Sequence, residues 1–246
     1  MNKEFTGVLM AAGMGLRLGA GTTKALVEIE GMPLCYYAID FLKAVGASKV
    51  IVIGGCDFEK LKNRVLEYDH DIEVVENPDY KKGNLYTFLK VLPKIDSSFL
   101  LCNTDHIYKR AIADKVREQL DGIKAFCDFD RELGDDDMKV WHNSGKVSAI
   151  SKKLSEYNAG YVGLTYCDIS RLDEYKKCTD KLLVKKEDNL VVEDVMRKLS
   201  EEGEGVDIGD ISGHGWLEVD FPEELERAKK EIARHRGDFF GTDTYK

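Results

Sequence analysis

The sequence predicts an α/β protein built on a single doubly wound, mostly parallel sheet with a small β-hairpin extension. Three observations carry this expectation. Apolar strand-like runs alternate with helix-spaced segments along the first half of the chain. The runs are continuously apolar, as in strands covered by helices on both faces. The connections between them are short, as in βαβ units.

The elements follow in order. Residues 7–12 (GVLMAA) form the first buried strand. Residues 33–45 carry Leu34, Tyr37, Ala38, Phe41 and Leu42 on one helical face, with Pro33 as the start signal. Residues 50–53 (VIVI) are a second strand. Asp57 is placed to cap a helix over 58–68. A third strand is expected at 72–75, a helix at 82–92, a fourth strand at 99–102, a helix at 110–120 and a further strand at 122–129. Asn143-Ser144-Gly145 then separates 138–142 from 146–150, a hairpin signal. Residues 158–167 are strand-like, and helices are expected at 169–177 and 190–202. Short strands at 206–212 and 216–220 precede a closing amphipathic helix at 222–236. No repeat or Pro/Ser linker interrupts the pattern. Residues 1–236 therefore read as one domain, and 237–246 as a flexible tail.

Composition narrows the function classes. The chain has 246 residues, 43% of them apolar, enough to bury a sizeable core and too apolar for disorder. No stretch reaches the roughly 18 apolar residues of a membrane span. The first residues lack a basic region followed by an apolar one, so a cytoplasmic location is expected. The net charge of -9 argues against nucleic acid or anionic membranes as partners. The six cysteines show no C-x-x-C spacing and read as buried thiols. Gln119 is the only glutamine in a Lys/Glu-rich chain, which predicts a thermophilic source.

The chemistry begins after the first strand. Ala11-Ala12-Gly13-Met14-Gly15-Leu16-Arg17-Leu18 is a Gly-rich loop, and Thr23-Lys24 follows it. Such loops let backbone N–H groups converge on phosphate oxygens. Arg17 and Lys24 add two cations, which a triphosphate needs for neutralisation. A dinucleotide-binding loop would place a third glycine at Leu18 and open a helix directly. A P-loop would need G-x-x-x-x-G-K-[ST], which is absent.

This string resembles the L-A-A-G-x-G-x-R-[ML]…P-K signature of the nucleotidyltransferases that activate sugar phosphates and alcohol phosphates. Thr23 departs from it, standing where many members have proline. The resemblance implies a Rossmann-like nucleotidyltransferase fold, Mg²⁺ as cofactor and pyrophosphate as product. It places Ala11, Ala12, Gly13, Gly15, Gly83, Asn84 and Thr104 around the nucleotide.

Asp105 follows the fourth strand, at the sheet end where open α/β sheets bind ligands. Asp220 stands before the last helix, in Trp216-Leu217-Glu218-Val219-Asp220-Phe221-Pro222-Glu223. A turn cap and a helix-start carboxylate are the plainer readings of the two. Two carboxylates with phosphate oxygens also suit Mg²⁺, and the resemblance assigns Asp105 and Asp220 as its ligands. His106 reads as a bystander. Asp128 and Asp130 read as solvated charge running into the acidic stretch 132–137.

The segment 77–87 (NPDYKKGNLYT) opens a helix with Gly83-Asn84. In the resembling enzymes this segment reads the base. Its pattern is similar to the cytidylyltransferases for choline phosphate and inositol 1-phosphate, and the closing W-L-E-V-D-F-P-E string leans toward inositol 1-phosphate. CTP and a small phosphorylated alcohol are thus the implied partners, with a homodimer allowed. The resemblance also implies a lysine at the acceptor phosphate, for which Lys152 is the choice. Glu156, Asn158 and Glu193 are candidates for acceptor hydroxyls. Arg17, Lys24 and Asp105 are the expected catalytic residues. Choline phosphate or a hexose 1-phosphate is the rival acceptor. A non-catalytic nucleotide-sensing relative and a glycosyltransferase are the rival classes.

Overall fold

The computed structural model describes residues 4–19, 21–184 and 188–239. In chain order its strands and helices are β1 (Phe5–Ala11), β2 (Glu28–Ile29), β3 (Met32–Pro33), α1 (Leu34–Val45), β4 (Lys49–Gly54), α2 (Phe58–Tyr68), β5 (Glu73–Glu76), α3 (Asn84–Phe88), β6 (Ser98–Asn103), β7 (His106–Tyr108), α4 (Arg110–Arg117), β8 (Ile123–Asp128), β9 (Lys139–Asn143), β10 (Lys146–Ser151), β11 (Ala159–Cys167), α5 (Leu172–Leu183), α6 (Val192–Glu201), β12 (Asp207–Asp210), β13 (Trp216–Glu218) and α7 (Pro222–Arg234).

Nine strands form one sheet in the order β5-β4-β1-β6-β11-β8-β12-β10-β9. The first four are parallel, and the order reverses beside β1, giving the doubly wound arrangement. The second half corrects the expectation of a mostly parallel sheet. β11 runs antiparallel to both β6 and β8. The chain leaves β8, makes the β9–β10 hairpin and returns without a helical crossover. A strand reached that way must run backwards. The hairpin forms as expected, with Ser144 and Gly145 both at positive φ. It is part of the main sheet rather than an extension, because β10 pairs with β12 and β9 with β11.

Helices cover both faces. Strand β1 alternates, sending Leu9 and Ala11 to the face covered by α1, α2, α4 and α7, and Val8 and Met10 to the face of α3, α5 and α6. Each fully buried Leu, Ile or Phe on these faces contributes roughly 1.5–3 kcal/mol. Five of the six cysteines are buried, Cys56 is half-buried, and all are free thiols. Among the described residues, no helix is long and apolar enough to cross a membrane.

Several local expectations change. The helix expected over 82–92 shrinks to α3, because Gly83 sits at φ 116 and Pro93 limits the far side. Asp57 stands at the N-cap position of α2 as expected, but at φ 52 its side chain accepts from Thr22 and Lys60 rather than from the helix backbone. The tail is anchored at its start, since Phe239 is fully buried and bridges to Lys109. Residues 240–246 of that tail lie outside the described residues.

Candidate active site

The loop after β1 folds back on itself. The Thr23 hydroxyl and the Lys24 N–H both donate to the Gly13 carbonyl, at 2.8 and 3.3 Å. A proline at position 23 could not donate the first of these bonds, so the departure from the common signature has a local use. Gly15 lies at φ 62, and a Cβ there would come within 3.0 Å of the Lys24 nitrogen. The glycine thus lets the lysine strand cross the loop closely. Lys24 is aimed at the sheet end where β1 and β6 part.

A two-stranded ribbon brings the acids to the same place. β7 and β13 pair antiparallel with His106 opposite Glu218. The next rung joins the Val219 N–H to the Asp105 carbonyl at 3.0 Å. Asp105 and Asp220, far apart in sequence, therefore flank one end of one ladder. The α7 start is capped by Glu224, which accepts from the backbone N–H groups of Asp220 and Phe221. That leaves the Asp220 carboxylate for the site.

Lys24 Nζ donates to Asp105 Oδ2 at 2.9 Å and to Asp220 Oδ1. Arg17 Nη2 lies 2.8 Å from Asp220 Oδ2. Burial alone would lower the Lys24 ammonium, but Asp105 and Asp220 outweigh it and hold it up at about 12. Burial would likewise raise Asp105; Lys24 and His106 hold it well below the usual carboxylate range. Arg17, Lys24, Asp105 and Asp220 thus form one chain of ion pairs at the centre.

Two clefts meet there. The first, about 300 Å³, is lined by Ala12, Gly13, Lys24, Tyr80, Gly83, Asn84, Thr104 and Asp105, with Met14 and Asn189 at its rim. Neutral groups dominate it. The second, about 210 Å³, is lined by Arg17, Lys24, Asp105, Asp136, Asp137, Lys152, Glu193, Glu218 and Asp220. Charged groups dominate it. Lys24, Asn84, Asn103 and Asp105 line both. The Thr104 hydroxyl is buried and without a hydrogen-bond partner in the first cleft. Such a group calls for a ligand atom or a water.

A backbone zipper links the clefts. Gly83 at φ 116 lies so close to 189–190 that a Cβ would meet the Leu190 oxygen at 2.5 Å. Leu85 N–H donates to that oxygen, and Asn84 Oδ1 accepts from Val192 N–H at 2.8 Å. That bond uses one lone pair of Oδ1 and orients the Asn84 NH₂ group as a donor. The zipper starts α6, whose Glu193 is buried in the second cleft. Burial pushes that carboxyl up to about 7, against the pull of Lys152 and His106.

Most residues named from sequence come together here. Ala11 supports the loop from within β1 and lines neither cleft. Glu156 is exposed and lines neither. Asn158 is used in structure: its amide pairs with both backbone groups of His142, at 3.0 and 2.9 Å. Asp128 corrects the solvated reading, for it is buried and accepts from the Trp216 indole at 2.9 Å. Sequence reasoning missed Asn103 and Glu218 and read Asp136 and Asp137 as solvated charge; Tyr161, named only as a ring that could cage choline, lines the second cleft. Asn103 and Glu218, each two residues before an expected metal ligand, carried a signal by position.

The donor set suits a divalent metal. Among the described residues no group of three or more His, Cys, Asp or Glu side chains forms a ready cage. Asp105 and Asp220 nevertheless converge on one ammonium, and a hard cation of the Mg²⁺ type needs only one or two carboxylates beside waters and phosphates.

Comparisons with known proteins give the family and the fold. Residues 7–132 match the MobA-like NTP transferase domain, and the chain belongs to that family. It is 30% identical over 230 residues to the bifunctional IPC transferase and DIPP synthase of Thermococcus kodakarensis, covering 92% of this chain and 50% of that one. The corresponding protein of Aquifex aeolicus is 27% identical, with 93% and 52% covered. The chain thus spans about half the length of these relatives. In structure it resembles the inositol-1-phosphate CTP transferase from T. maritima, with a TM-score of 0.80 and 20% identity over 94% of this chain and 96% of that one. That likeness concerns the fold.

Proposed function

We propose that residues 1–236 act as one Mg²⁺-dependent nucleotidyltransferase unit that passes a cytidylyl group from CTP to a phosphorylated polyol, inositol 1-phosphate above all. The observation that carries this reading is the meeting of two unlike clefts at Lys24 and Asp105. The names of the two relatives and of the T. maritima protein point the same way.

The nucleotide occupies the first cleft. Gly13 and Gly15 bring the backbone to the phosphates, Thr104 offers its unpartnered hydroxyl, and the Asn84 NH₂ meets an acceptor atom of the base. The acceptor occupies the second cleft, its phosphate near Lys152 and Arg17 and its hydroxyls near Glu193. Asp105 and Asp220 would hold the metal, which supplies charge neutralisation at the phosphates when bound. An oxygen of the acceptor phosphate attacks the α-phosphorus. The bond from that phosphorus to the bridging oxygen breaks, and pyrophosphate leaves. No protein nucleophile is needed, since positioning and electrostatics lower the barrier. Lys24 and Arg17 turn from the aspartates to the phosphates as the substrates arrive.

Choline would call for aromatic rings around its cation; Tyr161 lines the second cleft, while Trp216 is buried between the His106 ring and the Arg131 guanidinium. The acidic and amide lining suits hydroxyl groups, which lose affinity when left unpaired. This favours a polyol over choline. Pyrophosphate release with four nucleoside triphosphates, each against inositol 1-phosphate, phosphocholine and glucose 1-phosphate, tests the reading. CTP with inositol 1-phosphate should be the fastest pair. Absence of pyrophosphate from every pair would overturn it.

A further inference from the structure

His106 does more than follow Asp105 in sequence. Its side chain is 7% exposed, and its Nδ1 lies 2.6 Å from Asp105 Oδ1. A carboxylate oxygen accepts, and Nδ1 at this distance is its donor. The His106 ring stacks on Trp216, with centroids 4.9 Å apart and planes at 11°. The Arg131 guanidinium covers the indole at 4.1 Å from the ring centroid. Arg131 is itself held by Glu218 and Asp137, at 3.3 and 3.4 Å. The indole N–H is fixed by the buried Asp128 at 2.9 Å. Asp128, Trp216 and His106 thus form a continuous buried chain that ends on one oxygen of Asp105. The other oxygen, Oδ2, is the one that meets Lys24.

We propose that His106 is a positioning residue, braced by the Trp216 stack and Asp128, that ties down Asp105 Oδ1 so that Oδ2 alone is presented to the divalent metal. This rests on the nucleotidyltransferase reading above. The cause is general: an acidic ligand that is free to rotate loses entropy on binding, and a hydrogen bond to its outer oxygen removes that loss in advance. The brace also explains a buried Asp128, which touches neither cleft. One of its carboxylate oxygens fixes the indole N–H, and the other accepts from the Asp130 N–H at 2.8 Å.

The test is a Mn²⁺ titration of the whole chain, followed by the signal of free Mn²⁺, beside steady-state pyrophosphate release. The variants are His106→Phe, which keeps the ring and removes the donor, His106→Asn, which returns a donor at similar reach, and Trp216→Phe, which keeps a ring and gives up the bond to Asp128. In the His106→Phe variant Mn²⁺ should bind about 10–100-fold more weakly, the range for loss of a partner behind a metal ligand. The metal concentration for half-activation should rise by a similar factor. His106→Asn should recover most of the loss, and Trp216→Phe should show a smaller one. If His106→Phe proves unstable, the Asn and Trp216 variants carry the same comparison. Equal Mn²⁺ affinity in the parent and His106→Phe overturns the brace alone. A parent that binds Mn²⁺ no better than Asp105→Asn overturns the metal assignment and the brace with it.

Discussion

The two clefts that meet at Lys24 differ in what they draw from one stretch of chain. The first takes Ala12, Gly13, Met14 and Lys24 from a single loop, and segments 80–84 and 103–105 complete it. The second is made by distant parts, with Arg17, Asp105, Lys152, Glu193 and Asp220 arriving from five segments. The first offers backbone and neutral groups, the second ionised ones. On the function proposed above, the acceptor can vary while the nucleotide pocket stays, because Arg17, Lys152, Glu193 and Asp220 line the second cleft alone, although Lys24 and Asp105 line both.

The largest effect should come from the residue both clefts share. Lys24→Met should reduce kcat by about 10²–10³, or about 2.7–4 kcal/mol, as for a lost charged donor at a transition state. Single-turnover pyrophosphate release reads it, and an unchanged rate would remove Lys24 from the chemistry. Next comes the zipper. Gly83→Ala places a Cβ against the Leu190 oxygen at positive φ, and should cost roughly 1–3 kcal/mol of stability. It should also raise KM for both substrates, since Asn84 lines both clefts, Gly83 and Asn189 the first and Val191 the second. A rise for CTP alone would show that the clefts are independent.

A smaller and one-sided effect is expected at the acceptor wall. Lys152→Ala should raise KM for the acceptor about tenfold, the size of one charge-assisted hydrogen bond, and leave KM for CTP in place. Glu193 adds a pH signature. Its carboxyl titrates near 4.5 in the unfolded chain and about 7 in the folded one. Between those values the folded state binds more protons, so its contribution makes stability fall as pH rises from about 4.5 to 7. Thermal unfolding of Glu193→Gln should show a shallower fall over that window; an unaltered slope would mean the group titrates elsewhere. The smallest effect belongs to Asn158→Ala, which should cost about 1 kcal/mol of stability through its bonds to His142 and leave both KM values alone. A selective rise in acceptor KM would return Asn158 to the site.

The same contrast explains what could be read from sequence. The loop after β1 was legible because its chemistry is local, and Asp105 and Asp220 because each stands at the end of a recognisable strand. The direction of β11 was not legible. Periodicity reports that a strand is buried, whereas its direction is set by the connection that delivers it. Strand β7 is three residues long, too short for a pattern, yet it carries the ribbon that unites the acids. Asp128 looked like loop charge because its partner, the Trp216 indole, is 88 residues away. Asn158 looked like a ligand group for the same reason: a polar side chain's use is decided by neighbours that sequence spacing does not reveal.

The β7–β13 ribbon also sets an order on the making of the protein. All nine strands of the main sheet lie between Phe5 and Asp210. A nascent chain that has emerged to that point holds the glycine loop, Lys24, Asp105 and both helix layers apart from α7. It lacks Trp216, the pairing strand of the ribbon and Asp220. The ribosome thus releases a sheet before it releases a complete charge centre, and Lys24 waits with one acid until the last stretch threads back beside β7.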